Sequence, residues 1–127
     1  MPSFPYQLDA LNQPFPSIPL SIIYKDKRRE VFALIDSGAT ISVFRPDIAD
    51  SLSIVISSGK KVFLGGVGGR IKGFIHDLEV DVGGQRFLCP VVFSREYFAP
   101  FNLLGRDAFF EKFRIIFEEK KKQVILE

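Results

Sequence analysis

The sequence predicts an all-β fold, a small closed or partly closed barrel carrying two short helices and a glycine-tipped hairpin. Three observations lead there. Short apolar runs rich in Val, Ile and Phe recur along the chain, each bounded by charged, Gly or Pro residues. Glycines gather at Gly65-Gly66-Val67-Gly68-Gly69 and at Gly83-Gly84, as hairpin tips require. Helical stretches are confined to two brief segments, after Arg45 and after Arg106. The length of 127 residues suits a single domain spanning 1–127.

Residues 1–17 contain Pro2, Pro5, Pro14 and Pro16. Proline lacks an amide donor and is poorly suited to an interior strand, so this segment reads as an extended arm lying on the domain or on a partner. Residues 18–24 and 30–35 read as antiparallel strands around a charged turn at 25–29. Asp36-Ser37-Gly38-Ala39 interrupts the apolar run, and residues 41–44 resume it. Residues 46–50 read as a helix with proline in its first turn. Residues 54–56 read as a short strand. Residues 60–64 and 70–82 flank the glycine tip, and Gly83-Gly84 turns the chain into a strand over 85–93. Residues 94–101 form a loop. Leu103-Leu104 is a short apolar pair ended by Gly105-Arg106. Residues 107–113 read as the second helix, with Asp107 as N-cap. A hairpin over 114–117 and 123–126 closes the fold.

Composition excludes several functions. The net charge is +2, from 17 basic and 15 acidic residues, and the basic clusters are interleaved with acids. A phosphate-binding face would show a basic run without acids, so no nucleic-acid partner is expected. The single Cys89 cannot form an intrachain disulfide or a Cys-rich zinc site, and its apolar neighbours suggest a buried, inert thiol. His76 is the only histidine, which precludes a multi-His metal site within one chain. No metal or other cofactor is expected. No apolar run approaches the ~18 residues of a membrane span, and no secretory signal is visible. The expected location is the cytoplasm, with no membrane partner.

Three local features could carry chemistry. Asp36 follows directly on an apolar strand and is followed by Ser37, Gly38 and Ala39. A carboxylate there is costly to desolvate unless hydrogen-bonded, and the Ser hydroxyl and Gly amide can supply those bonds. On these four residues alone, an Asx-type turn closing a strand fits as well. The glycine tip at 65–69 lacks the Gly-Lys-Ser/Thr of a phosphate loop, which leaves a flexible hairpin or a lid over a ligand. Gly105-Arg106-Asp107 permits a close chain crossing and offers a guanidinium that can tie segments together.

Together and in this order, the three features resemble the retropepsin-like aspartic proteases, the single-domain kind found in retroviruses and in cellular relatives. The resemblance runs from Ile18 to Leu126. It rests on the apolar-Asp-Ser-Gly-Ala run ending at Ala39, the glycine-rich flap, and the apolar pair followed by Gly105-Arg106-Asp107. It implies a barrel of the acid-protease type, Asp36 as the catalytic aspartate, Ser37 bonding across a dimer axis, and Gly38 and Ala39 offering backbone to substrate. Gly66, Val67 and Gly68 would form the flap tip. Gly105 and Arg106 would brace the active-site loop.

Such enzymes need two carboxylates sharing a proton, one acting as base on a water and the other polarising the scissile carbonyl. No other aspartate in the body of this chain is followed by Ser/Thr-Gly, so the resemblance implies a homodimer and a peptide or protein substrate. Viral members often carry a further Asp after the Gly-Ala to pair with the Arg. Thr40 and Ile41 stand in that region here, leaving the partner of Arg106 open. The hairpin at 114–126 resembles the cellular relatives more than the short viral end strand, and is expected to build much of the dimer interface. A non-catalytic peptide-binding module on the same barrel is the alternative reading.

Overall fold

The computed structural model of the chain describes residues 1–66 and 69–127. The flap-tip residues Val67 and Gly68 lie outside the described residues. The strands are β1 (Ser3–Pro5), β2 (Gln7–Leu8), β3 (Pro14–Phe15), β4 (Ser17–Tyr24), β5 (Lys27–Ile35), β6 (Ser42–Phe44), β7 (Lys60–Gly66), β8 (Gly69–Val82), β9 (Gln85–Phe93), β10 (Asn102–Leu104), β11 (Ile115–Glu118) and β12 (Gln123–Leu126). Helix α1 covers Pro46–Ser51 and α2 covers Phe109–Lys112. Among the described residues no helix is long and apolar enough to cross a membrane.

The main sheet is ordered β4-β5-β10-β6-β9-β8-β7, and β8 also pairs with β4. The ladder therefore runs round in a ring, with β7 hanging from β8 outside it. Residues of β5 alternate in burial, with Val31, Ala33 and Ile35 inside and Glu30 and Phe32 outside. That is the pattern of a strand with one face on a core. The core holds Ile18 and Ile22 from β4, Phe44 from β6, Phe93 from β9 and Leu104 from β10, all fully buried. Gly83 and Gly84 have φ of 57° and 87°, so both supply the positive φ that a two-residue turn between β8 and β9 demands.

A second sheet, ordered β1-β12-β11, joins the two ends of the chain. Ser3 pairs with Ile125 and Pro5 with Gln123. The arm is thus extended, as the prolines suggest, and its first part is an edge strand of the chain's own sheet. Its next part folds as the small β2–β3 hairpin, whose turn is held by Asp9 Oδ1 accepting from the amides of Leu11 and Gln13 at 2.9 Å.

Several boundaries differ from the sequence reading. The turn after β4 is only Lys25-Asp26, with Lys25 at φ 55°. Arg28 and Arg29 belong to β5, where their charges reach outward to Asp81 at 3.3 Å and to the Ser51 hydroxyl at 2.6 Å. Charge marked a solvated strand face there, not a turn. The expected strand at 54–56 is instead a loop entering a 3-10 turn over Ile56–Ser58. Ile54 and Ile56 are buried, but as anchors of a loop without strand partners. One Ile56 carbonyl lies 2.9 Å from His76 Nε2, so the lone histidine ties this loop to β8, away from Asp36. The second helix begins at Phe109, not Asp107, and Asp107 makes no side-chain cap. The amide of Asp107 is already committed to the Thr40 carbonyl at 2.8 Å, and Ala108 has φ 66°. Finally, β6 begins at Ser42, one residue later than expected.

Cys89 is fully buried, with its sulfur 3.9 Å from Ser42 Oγ. Burial pushes the thiol up to about 11, so it stays protonated at neutral pH. Native protein is expected to leave Cys89 unlabelled by a thiol reagent at pH 8, whereas denatured protein reacts fully; rapid native labelling would contradict its burial. Phe109 is also fully buried, with Phe110 and Phe113 rings at 5.7 and 5.6 Å. Phe109→Ala is expected to cost about 3–5 kcal/mol in urea unfolding, since so large a void cannot collapse completely.

Candidate active site

The site grows from a topological detail. β5 and β6 are consecutive strands but not neighbours, because β10 lies between them. β10 runs parallel to β5, with Leu104 opposite Ile35. The loop from β5 to β6 must therefore cross the end of β10, and Asp36 is the first residue of that crossing. Its amide donates to the Leu104 carbonyl at 3.0 Å. Beyond it the chain is stitched to the segment after β10. The amide of Arg106 donates to the Ala39 carbonyl at 2.9 Å, and that of Asp107 to Thr40.

Gly105 sits where the two segments touch. A Cβ there would lie 2.5 Å from the Ile41 carbonyl carbon and 2.6 Å from its oxygen. Those atoms belong to backbone, so no rotamer change relieves the clash. The Gly105 amide donates to the buried Ser42 hydroxyl at 3.0 Å. Ser42 thus satisfies a donor at the crossing that would otherwise be buried unpaired.

The Asp36 carboxylate is half-buried. Its Oδ1 accepts from the Gly38 amide at 2.9 Å. Among the described residues, no hydrogen bond or ion pair engages Oδ2. Asp36, Gly38, Ala39 and Thr40 form one wall of a cleft of about 520 Å³. Leu64, Gly65, Gly66, Gly69 and Ile71 come over it from the β7–β8 hairpin, and Val43, Leu103 and Tyr97 complete it. Asp36 is the only carboxylate among these lining residues. Ser37 is exposed and lies outside the cleft lining. Gly105 and Arg106 also lie outside it, beneath the loop.

The open question of Arg106 has an answer. Its guanidinium donates to Thr40 Oγ1 at 3.2 Å. A hydroxyl thus takes up a side-chain contact beside two backbone bonds between the same segments. The residue that sequence reasoning missed is Tyr97. It sits in the loop between β9 and β10, which read only as a connection. Its hydroxyl donates to the Phe101 carbonyl at 2.7 Å. Burial pushes that hydroxyl up to about 12, opposed by the Arg45 charge and aided by that of Asp36. The phenol therefore remains a donor. Nothing in a lone loop tyrosine signals that the loop folds back on the cleft.

A second groove of about 360 Å³ lies between the β2–β3 hairpin and β5. Within it Arg45 lies 3.0 Å and Arg29 3.7 Å from Asp47. Among the described residues no cluster of His, Cys, Asp and Glu is placed to hold a metal ion.

Gly105→Ala is expected to destabilise the fold by about 3 kcal/mol or more in chemical unfolding, because a methyl group must displace the Ile41 backbone. A change below about 0.5 kcal/mol would mean that the crossing is loose.

No family model matches the chain, and no curated protein matches it in sequence. Solved structures do. The EIAV protease complexed with the inhibitor HBY-793 is similar with a TM-score of 0.60 and 23% identity, covering 83% of this chain and 93% of that one. The chain has the fold of a retroviral protease.

Proposed function

We propose that the chain is an aspartic endopeptidase, a single retropepsin-like domain that works as a homodimer. The observation that carries this reading is the state of Asp36. One carboxylate oxygen is fixed by a backbone amide, the other is free of protein partners among the described residues, and both belong to a cleft with mainly aliphatic walls. An acid–base group needs this combination of fixed position and vacant oxygen.

One such carboxylate per cleft is insufficient for the chemistry. Two copies of Asp36 related by a two-fold axis supply the pair, and isologous dimers are the commonest assembly. Like charges about 3 Å apart cannot both ionise, so one carboxyl keeps its proton. The ionised carboxylate takes a proton from water, and the resulting hydroxide attacks the scissile carbonyl carbon. The protonated carboxyl gives its proton to the carbonyl oxygen. When the tetrahedral intermediate collapses, the C–N bond breaks, the departing nitrogen takes up the proton that came from water, and one hydroxyl on the carbonyl carbon returns a proton to the second carboxylate, so the pair again shares one proton.

The substrate is an extended peptide with apolar side chains beside the scissile bond. The cleft runs along the β7–β8 hairpin, which can accept a peptide as an added strand. Leu64, Ile71 and Val43 suit apolar side chains. Ser37, exposed beside Asp36, is the residue we assign to contacts between the two loops of the dimer. The β7–β8 hairpin, with Gly66 and Gly69 over the cleft, is the part we assign to closing on substrate. The β11–β12 hairpin supports a place in the cellular branch of the family.

The test is cleavage of an unfolded protein across about pH 3–7, with Asp36→Asn as control. Wild type is expected to cleave, and the variant to lose at least about a thousandfold in rate. Peptides bound by a folded dimer and released intact at every pH would assign the chain to the binding-module alternative instead.

A further inference from the structure

The β7–β8 hairpin has two faces of opposite character. Its ladder pairs Phe63 with Lys72 and Gly65 with Arg70. Opposed residues share a face and alternate residues return to it, so Lys61, Phe63, Lys72 and Arg70 project together. Leu64 and Ile71 lie on the alternate face and line the cleft. Burial follows the same division. Lys61, Phe63, Arg70 and Lys72 are exposed, whereas Val62, Leu64 and Ile71 are half-buried. One face of the hairpin belongs to the cleft, and the other looks outward.

The outward face is charged and unbalanced. Among the described residues Lys61, Arg70 and Lys72 form no ion pair, whereas Arg28, Arg29, Arg45, Arg86 and Arg95 all do. Phe63, Arg70, Lys72 and Glu96 line a shallow depression of about 460 Å³. Glu96 is the one carboxylate there, and its Oε1 accepts from the Lys72 amide at 3.2 Å. Three cations against one carboxylate leave a surplus of two, equal to the surplus of the whole chain. The positive excess of the molecule is thus gathered on this face.

The cations are also steadied. The Arg70 guanidinium carbon lies 4.5 Å from the centroid of the Phe63 ring, and Lys61 Nζ lies 5.4 Å from it. Phe63 is 53% exposed and adds nothing to the core. Its ring instead holds two cations that lack carboxylate partners. Long side chains held in this way lose less freedom when an anion arrives.

The spacing suits an extended chain. Successive rows of the face, at Lys61, at Phe63 with Lys72, and at Arg70, stand about 7 Å apart, the repeat of alternate residues in a strand. We infer that the outward face of β7–β8 docks an acidic polypeptide segment, extended along the hairpin, with carboxylates at alternate positions meeting Lys61, Lys72 and Arg70. A single nucleic-acid strand fits less well, because Arg70 lies against the ring on which a base would stack and Glu96 would face its phosphates. The surface is separate from Asp36 and does not depend on its chemistry. In a protease, an acidic segment outside the cleaved stretch would hold a substrate to the back of the hairpin and raise its affinity.

The experiment measures, by fluorescence anisotropy, binding of the full chain to a labelled peptide in which Glu alternates with Ser, beside the matching peptide of Gln and Ser. Neither peptide offers apolar residues to the cleft. The acidic peptide is expected to bind and the neutral one to fail, and raising salt from about 0.05 to about 0.5 M is expected to weaken binding about tenfold. Arg70→Glu and Lys72→Glu should each weaken it about tenfold. Phe63→Leu, which removes the ring but no charge, should weaken it about threefold. Lys120→Glu, the same charge change in the turn between β11 and β12, should leave it within about twofold. Circular dichroism establishes that each variant is folded. The docking surface is overturned if neither peptide binds, if both bind equally, or if Lys120→Glu weakens binding as much as Arg70→Glu, which would report net charge alone. Displacement of the acidic peptide by a lower concentration of oligothymidylate would also overturn it, marking a nucleic-acid surface instead. A chain that binds the acidic peptide but cleaves no protein overturns the protease reading and leaves the docking surface standing.

Discussion

The crossing of two backbone segments at Gly105 is the constraint on which the rest of the structure depends. β10 is inserted between β5 and β6, so the chain that joins those strands must pass over its end. With a Cβ distance of 2.5 Å to the Ile41 backbone, only glycine permits the contact. Once the segments touch, bonds from Asp36 to Leu104, Arg106 to Ala39 and Asp107 to Thr40 fix the loop residue by residue. The Asp36 carboxylate inherits its position from that seam. The seam leads into α2, which starts only at Phe109 because Ala108 takes a positive φ of 66°.

The division of the β-sheet follows from it. The ring of strands buries one continuous apolar core, while the β7–β8 hairpin extends beyond the ring and overhangs the cleft. The site therefore combines a rigid floor with a glycine-bearing roof. Arg106 and Ser42 contribute through the floor without touching the cleft. Ser42 satisfies the Gly105 amide, which the crossing would otherwise strand, and Arg106 adds a bond to the exposed Thr40 hydroxyl.

The parts legible in the sequence were those with a short-range cause. Gly83-Gly84 marked its turn because positive φ is a local demand, and Asp36-Ser37-Gly38 marked a break because polar residues interrupted an apolar run. The parts that were not legible depend on remote partners. Ile54 and Ile56 look like strand residues, but among the described residues they pair with no strand, and they anchor a loop. Arg28 and Arg29 look like a turn until Asp81 and Ser51 are seen opposite them. Tyr97 and Ser42 gain their roles only when β9, β10 and the Asp36 loop meet. The proline-rich arm was legible as extended, but its pairing with β12 was not, since nothing nearby announces a partner at the far end of the chain.

That pairing has a consequence in time. Ser3 meets Ile125, and Asp36 meets Leu104, so both the outer sheet and the floor beneath Asp36 join segments that emerge from the ribosome far apart. Loops of that span close slowly and only after the later segment exists. During synthesis the early strands can pair with one another, but the loop carrying Asp36 has no floor beneath it until β10 and Gly105 have been made. A growing chain thus carries the Asp36 carboxylate without its geometry until β10 and Gly105 have been made.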